Sequence, residues 1–225
     1  SNLCAEIVEV SDSKDYSNCN LASIALPAFV NTDKTFDFDK LGKVVQVMVE
    51  NLNIVINVNN YPTPETKNTN FNHRPIGIGV QGLADVFAMM KLPFDSVEAR
   101  TLNKKIFEHI YYNSLLQSME LSKRDGPYKF FEGSPASQGI LQFDMWNDTT
   151  QTIKEWSQLK SDIQQHGLRN SLLVALMPTA STSQILGYNS CFEPFVSNLF
   201  ARKTLAGEFT VVNKYLIEDL IELDL

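Results

Sequence analysis

The run SLLVALM, residues 171–177, constrains the fold more tightly than any other stretch of the sequence. It lies between Asn170 and Pro178, has the length of a strand, and is shorter than a typical helix. A short run with so little polar alternation is typical of a strand that is buried on both faces. Such a strand needs covering layers, and the sequence therefore predicts a helix-rich α/β scaffold.

Helical periodicity supplies those layers. Apolar residues recur at helical spacing over residues 40 to about 57, and Asp37 or Asp39 is placed to cap that helix. The polar stretches 59–75 and 126–147 are predicted to be loops. The remaining predicted elements are helices over residues 80–91, 96–124 and 152–166, a strand near residues 209–212, and a last helix from Asn213.

Composition excludes several classes of function. The formal net charge is −7, so the chain has no basic surface of the kind that binds nucleic acid. Its three cysteines lack CxxC spacing, which argues against a disulfide framework or a zinc site and predicts a reducing, cytoplasmic compartment. No apolar run of about 18 residues and no signal-peptide pattern is found, so we expect no membrane partner. The isolated His73, His109 and His166 are interpreted as surface or structural residues, and no metal site is expected.

The first ten residues, SNLCAEIVEV, alternate polar and apolar side chains. In an extended chain Asn2, Cys4 and Glu6 share one face. One interpretation is an edge strand with a solvated face. The other is a reaction centre, because a cysteine between a hydrogen-bonding amide and a base is a plausible nucleophile or redox group.

The stretch GIGVQG has the GxGxxG spacing of a dinucleotide-binding fold at Gly77, Gly79 and Gly82. That fingerprint has to follow a buried strand. The residues before it are polar and end in Pro75, so a nucleotide-binding role is rejected and close helix packing is the preferred explanation for the glycines.

The stretch PTASTSQ follows the predicted buried strand. Its small residues, Thr179, Ala180, Ser181 and Thr182, together with backbone N–H groups at a helix start, favour an anion at the carboxyl end of a strand. An ordinary Ser/Thr helix cap is the alternative.

Three other features are less informative. Tyr111 and Tyr112 lie within a helix and are assigned to packing. Cys19 is either a small buried side chain or a redox thiol, and Cys191 has no assigned role.

Five motifs in this order, NLCAEI, NCNLASIALP, RPIGIGVQGLAD, EGSPASQGILQFDMWN and MPTASTSQILG, resemble the large, catalytic subunit of eukaryotic-type class I ribonucleotide reductases. The resemblance implies that residues 1–225 are an internal portion of a ten-stranded catalytic α/β barrel. It also implies that the N-terminal nucleotide-sensing region and the C-terminal tail are absent from this chain, which alone is expected to be inactive.

The resemblance assigns roles to the residues singled out above. Cys4 corresponds to the transient thiyl radical that abstracts the 3′-hydrogen of a ribonucleoside diphosphate. Glu6 corresponds to the base for the 3′-hydroxyl, and Asn2 to the amide that binds the ribose hydroxyls. Cys19 corresponds to one of two thiols that reduce the 2′-position. Thr179, Ala180, Ser181 and Thr182 correspond to the loop that binds the diphosphate.

The same resemblance implies partners. No cofactor is expected in this chain, because the radical comes from a metal-containing small subunit. ATP and dNTP effectors are expected to bind regions absent here, and electrons to come from a thioredoxin- or glutaredoxin-type reductant. The full-length large subunit is expected to form a homodimer or a higher oligomer.

Three alternatives stay open at this stage. A glycyl-radical reductase would share the barrel and the radical cysteine. A catalytically silent homologue would act only as a binding or regulatory partner, although Asn2, Cys4 and Glu6 together argue against it. A cysteine hydrolase would need a histidine beside Cys4, and the nearest in sequence is His73.

Overall fold

The computed structural model describes residues 5–225. Asn2 and Cys4 therefore lie outside the described residues. Helices and short strands alternate along the described chain. The helices are α1 (Phe38–Val58), α2 (Pro64–His73), α3 (Leu83–Met89), α4 (Val97–Asp125), α5 (Gln142–Met145), α6 (Trp156–His166), α7 (Thr182–Leu186) and α8 (Lys214–Glu222), with 3-10 turns at Leu26–Phe29 and Ala136–Gln138. The strands are β1 (Leu21–Ala25), β2 (Gly77–Gln81), β3 (Leu199–Thr204) and β4 (Gly207–Val212).

The helices α1 and α4 pack against each other and confirm the predicted periodicity. The Asp37 side chain accepts a hydrogen bond from the Lys40 N–H, and Ser96 caps α4 in the same way through Ala99. Gly126 ends α4, as expected. Within the part of the chain that the structure describes, α1 is the one helix long and apolar enough to span a bilayer by length and composition. Its buried stripe packs in the protein core.

Strands β1 and β2 are parallel, with Leu21 opposite Gly77 and Ala25 opposite Gln81. The predicted strand at residues 171–177 runs beside β2 as an extended segment, joined by a parallel bridge between Val174 and Ile78. The expectation that it is buried on both faces is wrong. Leu173, Ala175 and Met177 are buried, whereas the residues between them are only half-buried.

Three predictions of element type are wrong. The loop predicted over residues 126–147 contains the 3-10 turn at Ala136–Gln138 and helix α5. Residues 59–75 were expected to form a loop, but they contain α2, whose start carries a capping box between Thr63 and Thr66 and a proline in its first turn. The helix predicted over residues 80–91 is strand β2 followed by α3, with Gly82 in a left-handed conformation between them. The polar composition of α2 and the glycines of β2 obscured both elements.

A buried polar network joins α1, α2 and α4. Arg74 is 2% exposed and donates from Nε to Asn53 Oδ1 (3.1 Å) and from Nη2 to the Asn53 carbonyl (3.0 Å). Asn170 Nδ2 donates to the Arg74 carbonyl (2.8 Å), and Ser118 Oγ donates to Asn170 Oδ1 (3.0 Å). Burial lowers the pKa of Arg74 to about 10, so the guanidinium is still charged at neutral pH. Only amides and carbonyls accept its hydrogen bonds among the described residues.

Helix α6 begins at Trp156, four residues after the predicted start. The Glu108 carboxylate explains the difference, because it accepts hydrogen bonds from the backbone N–H groups of Thr152 (2.6 Å) and Ile153 (2.9 Å) and from Trp156 Nε1 (2.9 Å). Those backbone donors are therefore held by α4.

Near the end of the chain, β3 and β4 form an antiparallel hairpin, which confirms the strand at residues 209–212, and α8 follows its cap Asn213 as predicted.

Candidate active site

One face of the β1–β2 pair carries small residues. Side chains two apart on a strand share a face. The face formed by Leu21, Ser23, Ala25, Gly77, Gly79 and Gln81 is therefore distinct from the one that places Ile24, Ile78 and Val80 in the hydrophobic core. We call the first set the glycine face.

The segment 171–177, which pairs beside β2, approaches the two glycines of this face closely. A Cβ added to Gly77 would lie 2.8 Å from Ala175 Cβ, and one added to Gly79 would lie 2.6 Å from both the Ala175 carbonyl oxygen and Met177 Sδ. The absence of side chains at Gly77 and Gly79 therefore lets the segment 171–177 approach the backbone of β2 closely. The expectation that they serve helix packing is wrong.

Gly79→Ala is expected to lower the free energy of unfolding by roughly 1–3 kcal/mol, because the methyl group would overlap a backbone carbonyl. Thermal unfolding of the full-length protein measures the loss. Gly42→Ala in α1 is the comparison: its added Cβ would meet the Asn113 amide, which is hydrogen-bonded to Gln46 and His109 and would have to shift, but no backbone atom. Since alanine also favours the helix, we expect a smaller loss than for Gly79→Ala. Equal stability of Gly79→Ala and wild type would contradict the close contact.

The N-terminal segment lies against the start of the glycine face. Ile7 is buried, and its Cδ1 atom lies 3.7 Å from the position of a Cβ on Gly77. Glu6, beside it, is half-buried, and its Oε2 atom is buried without a hydrogen-bond partner. Both carboxylate oxygens of Glu9 are buried and unpartnered as well, and burial raises the pKa of this group.

The edge strand considered for the opening stretch is not found in residues 5–10, which form no strand. Ala5 has a left-handed φ of 55° and is exposed, whereas Ile7 and Glu9 are buried. The positive φ at Ala5 breaks the simple alternation, so the expected solvated polar face is wrong for this part of the chain. The carboxylates of Glu6 and Glu9 have buried oxygens instead.

Cys19 extends the glycine face at its amino end. The Gly77 N–H donates to the Asn20 carbonyl (2.9 Å), so the pairing with β2 already includes residue 20. The Asn20 side chain points away from the glycine face, since it donates to Asn70 Oδ1 (2.5 Å) and to the Pro75 carbonyl (3.0 Å). Alternation then places half-buried Cys19 on the same side as Leu21.

The residues 179–182 form a tight loop at the carboxyl end of the segment 171–177. Thr179 is buried with a φ of 54°, and its Oγ1 atom accepts a hydrogen bond from the Cys191 N–H (2.8 Å). Ala180, Ser181 and Thr182 are exposed. Ser181 makes no side-chain cap to α7, so the ordinary helix-cap alternative is wrong at this residue.

Two segments that carry candidate residues contact the glycine face. Ile7 contacts it at Gly77 and Met177 contacts it at Gly79, two residues or about 7 Å further along β2. The segments that carry Glu6 and the 179–182 loop therefore converge on the same strand. Cys19 precedes the neighbouring strand on that side.

Sequence reasoning missed the residues that hold this loop in place. Asp85 accepts a hydrogen bond from the Asn189 N–H (2.7 Å), and Asn189 in turn accepts one from the Gly82 N–H (2.9 Å). Cys191, which had no assigned role, contributes its backbone N–H, while burial raises the pKa of its thiol. The sequence signal for this role was the acidic residue in GLAD, residues 82–85, directly after β2.

A large cleft lies elsewhere. It has a volume of about 1070 Å³ and is lined mainly by apolar side chains of α3, α4 and residues 134–146 and 168–176. Glu6, Cys19 and the 179–182 loop do not line it. Tyr111 and Trp156 stack along this cleft, which confirms a packing role for Tyr111.

No group of three or more histidine, cysteine or acidic side chains is placed to hold a metal ion within residues 5–225. His73 stacks on Phe130 with ring centroids 4.7 Å apart, and His109 packs on Phe38. Both histidines therefore have structural contacts.

Comparison with known proteins places the chain in context. The family model described as "Ribonucleotide reductase, barrel domain" matches residues 1–225. The chain is 57% identical over 228 aligned residues to the ribonucleoside-diphosphate reductase large chain 2 of Saccharomyces cerevisiae, covering 99% of this chain and 26% of that protein. It is 55% identical to the large chain of Schizosaccharomyces pombe and 54% identical to the large subunit of Caenorhabditis elegans, covering 28% of each and 100% and 99% of this chain. The chain thus spans about a quarter of the length of these relatives.

Proposed function

Since the chain belongs to the ribonucleotide reductase barrel domain family, we propose that the longer protein containing it reduces ribonucleoside diphosphates to 2′-deoxyribonucleoside diphosphates. One observation carries the proposal beyond the family match. A carboxylate with one buried, unpartnered oxygen, Glu6, is next in sequence to Ile7, which contacts the glycine face, and the segment leading to the 179–182 loop contacts the same face.

The proposed reaction assigns one task to each group. A thiyl radical on Cys4 takes the 3′-hydrogen atom of the ribose, and Glu6 takes the proton of the 3′-hydroxyl. The 2′-hydroxyl leaves as water. Cys19 and a second thiol supply two electrons and two protons, one proton to the departing water and one to the 2′-carbon, and become a disulfide. Glu6 then returns its proton to the 3′-oxygen, and the hydrogen atom returns from Cys4 to the 3′-carbon. Asn2 orients the ribose hydroxyls.

A carboxylate with one buried, unpartnered oxygen suits the role of Glu6. A carboxylate oxygen without a hydrogen-bond donor is costly to bury and retains its capacity to accept a proton. A substrate hydroxyl at this position would supply the missing donor. Substrate binding would therefore satisfy a group that the folded chain leaves unsatisfied.

The 179–182 loop is proposed to hold the diphosphate. Ala180, Ser181 and Thr182 are exposed and small, so an anion can approach the backbone closely. The hydroxyls of Ser181 and Thr182 add donors. Thr179 has a different part, because its hydroxyl oxygen accepts the Cys191 N–H and fixes the base of the loop.

The proposal includes the partners that such a reaction needs. A metal-containing small subunit would generate the radical, and a thioredoxin- or glutaredoxin-type protein would reduce the disulfide. ATP and dNTP effectors would act outside this chain, in a homodimer or higher oligomer of the full-length large subunit. We place the protein in the cytoplasm, where reducing conditions keep such thiols available.

The experiment uses the full-length protein with its small subunit, because this chain spans only about a quarter of its relatives. Each of the four common ribonucleoside diphosphates is incubated with a dithiol reductant, and products are separated by chromatography. We expect 2′-deoxyribonucleoside diphosphates, and none when the small subunit is omitted. A radical-loaded small subunit that yields no deoxy product would contradict the proposal.

A further inference from the structure

We infer that Asp85 is a positioning residue for substrate binding, because it holds the 179–182 loop in place through Asn189 and Cys191. The inference rests on the proposed function, in which this loop binds the substrate's diphosphate. It goes beyond that function because it assigns the geometry of the loop to a carboxylate on α3, an element that contributes no candidate catalytic residue.

Each carboxylate oxygen of Asp85 accepts one hydrogen bond. It is 1% exposed and lies in the first turn of α3. Its Oδ2 atom accepts from the Asn189 N–H (2.7 Å), and its Oδ1 atom accepts from the Tyr215 hydroxyl of α8 (2.9 Å). Burial and the nearby Asp85 carboxylate raise the pKa of Tyr215, so the phenol remains a donor throughout the neutral range. The carboxylate therefore links two distant parts of the chain to α3.

Asn189 passes this restraint to the loop. Its carbonyl accepts from the Gly82 N–H (2.9 Å), and two residues later the Cys191 carbonyl accepts from the Leu83 N–H (3.4 Å). The Cys191 N–H donates to Thr179 Oγ1 (2.8 Å). Residues 189–191 are thus fixed to the start of α3 on one side and to the 179–182 loop on the other.

The other hydrogen bonds of the loop are mostly local: the Ser183 N–H donates to the Thr179 carbonyl (3.0 Å), and Ser183 Oγ lies 3.3 Å from Ser190 Oγ. Helix α7 has five residues, and Ser181 does not cap it. Thr179 and Cys191 both have left-handed φ values, 54° and 46°, although neither is glycine. Non-glycine residues keep such conformations only where the surrounding structure holds them. The hydrogen bond between these two residues, supported from Asp85, is the part of that surrounding structure that joins the loop to α3.

Asp85→Leu tests the inference in the full-length enzyme with its small subunit. The variant keeps the side-chain volume approximately but removes both acceptors. We expect KM and the directly measured Kd for the nucleoside diphosphate to rise about tenfold or more, the size of one lost buried hydrogen bond. We expect kcat to stay within about twofold, because the loop binds the diphosphate and not the reacting carbon.

Two conservative variants separate positioning from general stability. Asp85→Asn can accept from Asn189 with its oxygen and donate to Tyr215 with its nitrogen, because a phenol also accepts. Tyr215→Phe removes the contact with α8 and leaves the contact with Asn189. Both variants are expected to keep KM within about twofold of wild type. If Tyr215→Phe raises KM as much as Asp85→Leu does, the inference is overturned. The rise in KM would then come from the lost contact with α8 and not from the contact with Asn189.

If Asp85→Leu does not fold, Asp85→Glu takes its place. Glutamate keeps the charge but moves the acceptors by one methylene, and we expect KM to rise at least about threefold. A wild-type KM in a folded Leu or Glu variant overturns the inference and leaves the proposed function intact. A wild-type enzyme that forms no deoxy product refutes the proposed function instead.

Discussion

Replacing Glu6 by glutamine in the full-length protein is expected to reduce turnover of nucleoside diphosphates by about 100-fold or more, the usual contribution of a general base. The amide has nearly the same shape and can still bind a hydroxyl, but it cannot take the proton. Substrate affinity should therefore change little. Product formation gives kcat, and equilibrium binding of the diphosphate gives Kd.

Glu9→Gln is the matched control. Glu9 is another buried carboxylate of the same segment, and its oxygens also lack partners. It lies three residues from Glu6 and has no proposed part in the reaction, so its neutralisation should leave kcat within about threefold of wild type. Full turnover in Glu6→Gln would refute the assignment of the base. A loss shared equally by both variants would show that the segment needs charge rather than a base at residue 6.

Arg74→Leu is expected to lower the free energy of unfolding by about 3 kcal/mol or more, because several buried acceptors lose their donor together. The guanidinium donates to Asn53 and Asn57 on α1. Leucine offers no hydrogen bond and leaves the Asn53 carbonyl without this donor. Chemical unfolding of the full-length protein, followed by tryptophan fluorescence, measures the difference.

Arg124→Leu is the control for that experiment. Arg124 forms ion pairs with Glu50 and Asp125, but it is more than half exposed. Exposed ion pairs contribute between zero and about 1 kcal/mol. Arg74→Leu should therefore lower the free energy of unfolding more than Arg124→Leu, although Arg74 has no carboxylate partner and Arg124 has two. The opposite order of stabilities would contradict the role assigned to the buried network.

Local sequence signals located most helices. Asp37 and Ser96 cap α1 and α4 at the predicted starts, and Gly126 ends α4, because capping depends on residues close in sequence. Helix α2 carried an equally local signal, the Thr63 capping box, but its polar composition outweighed that signal in the prediction. Strand β2 could not be identified in this way. Its glycines suit a strand only because Ala175 and Met177, far along the chain, pack directly on them.

In the candidate site, too, the features set by local sequence could be predicted, and those set by distant residues could not. The position of residues 179–182 after a strand could be predicted from a general rule of α/β folds. The role of Asp85 could not, since its partner Asn189 is 104 residues away and the contact uses a backbone N–H that any residue would provide. Likewise, Thr179 is one of the small residues in the anion-binding stretch predicted from the sequence, and its hydrogen bond to Cys191 is visible only in the folded chain.

Strand β2 separates the hydrophobic core from the candidate site, and at its glycines only the backbone lies between them. Ile78 and Val80 project from it toward the core that contains α1, while Gly77 and Gly79 border the candidate site on the other side. At Gly77 and Gly79 no side chain on that side can absorb a displacement of the backbone. An added methylene at Val45 or Val49 of α1 would therefore be transmitted to substrate geometry as well as to stability. Substitutions deep in the α1 stripe could thus alter catalysis without touching any group that meets the nucleotide.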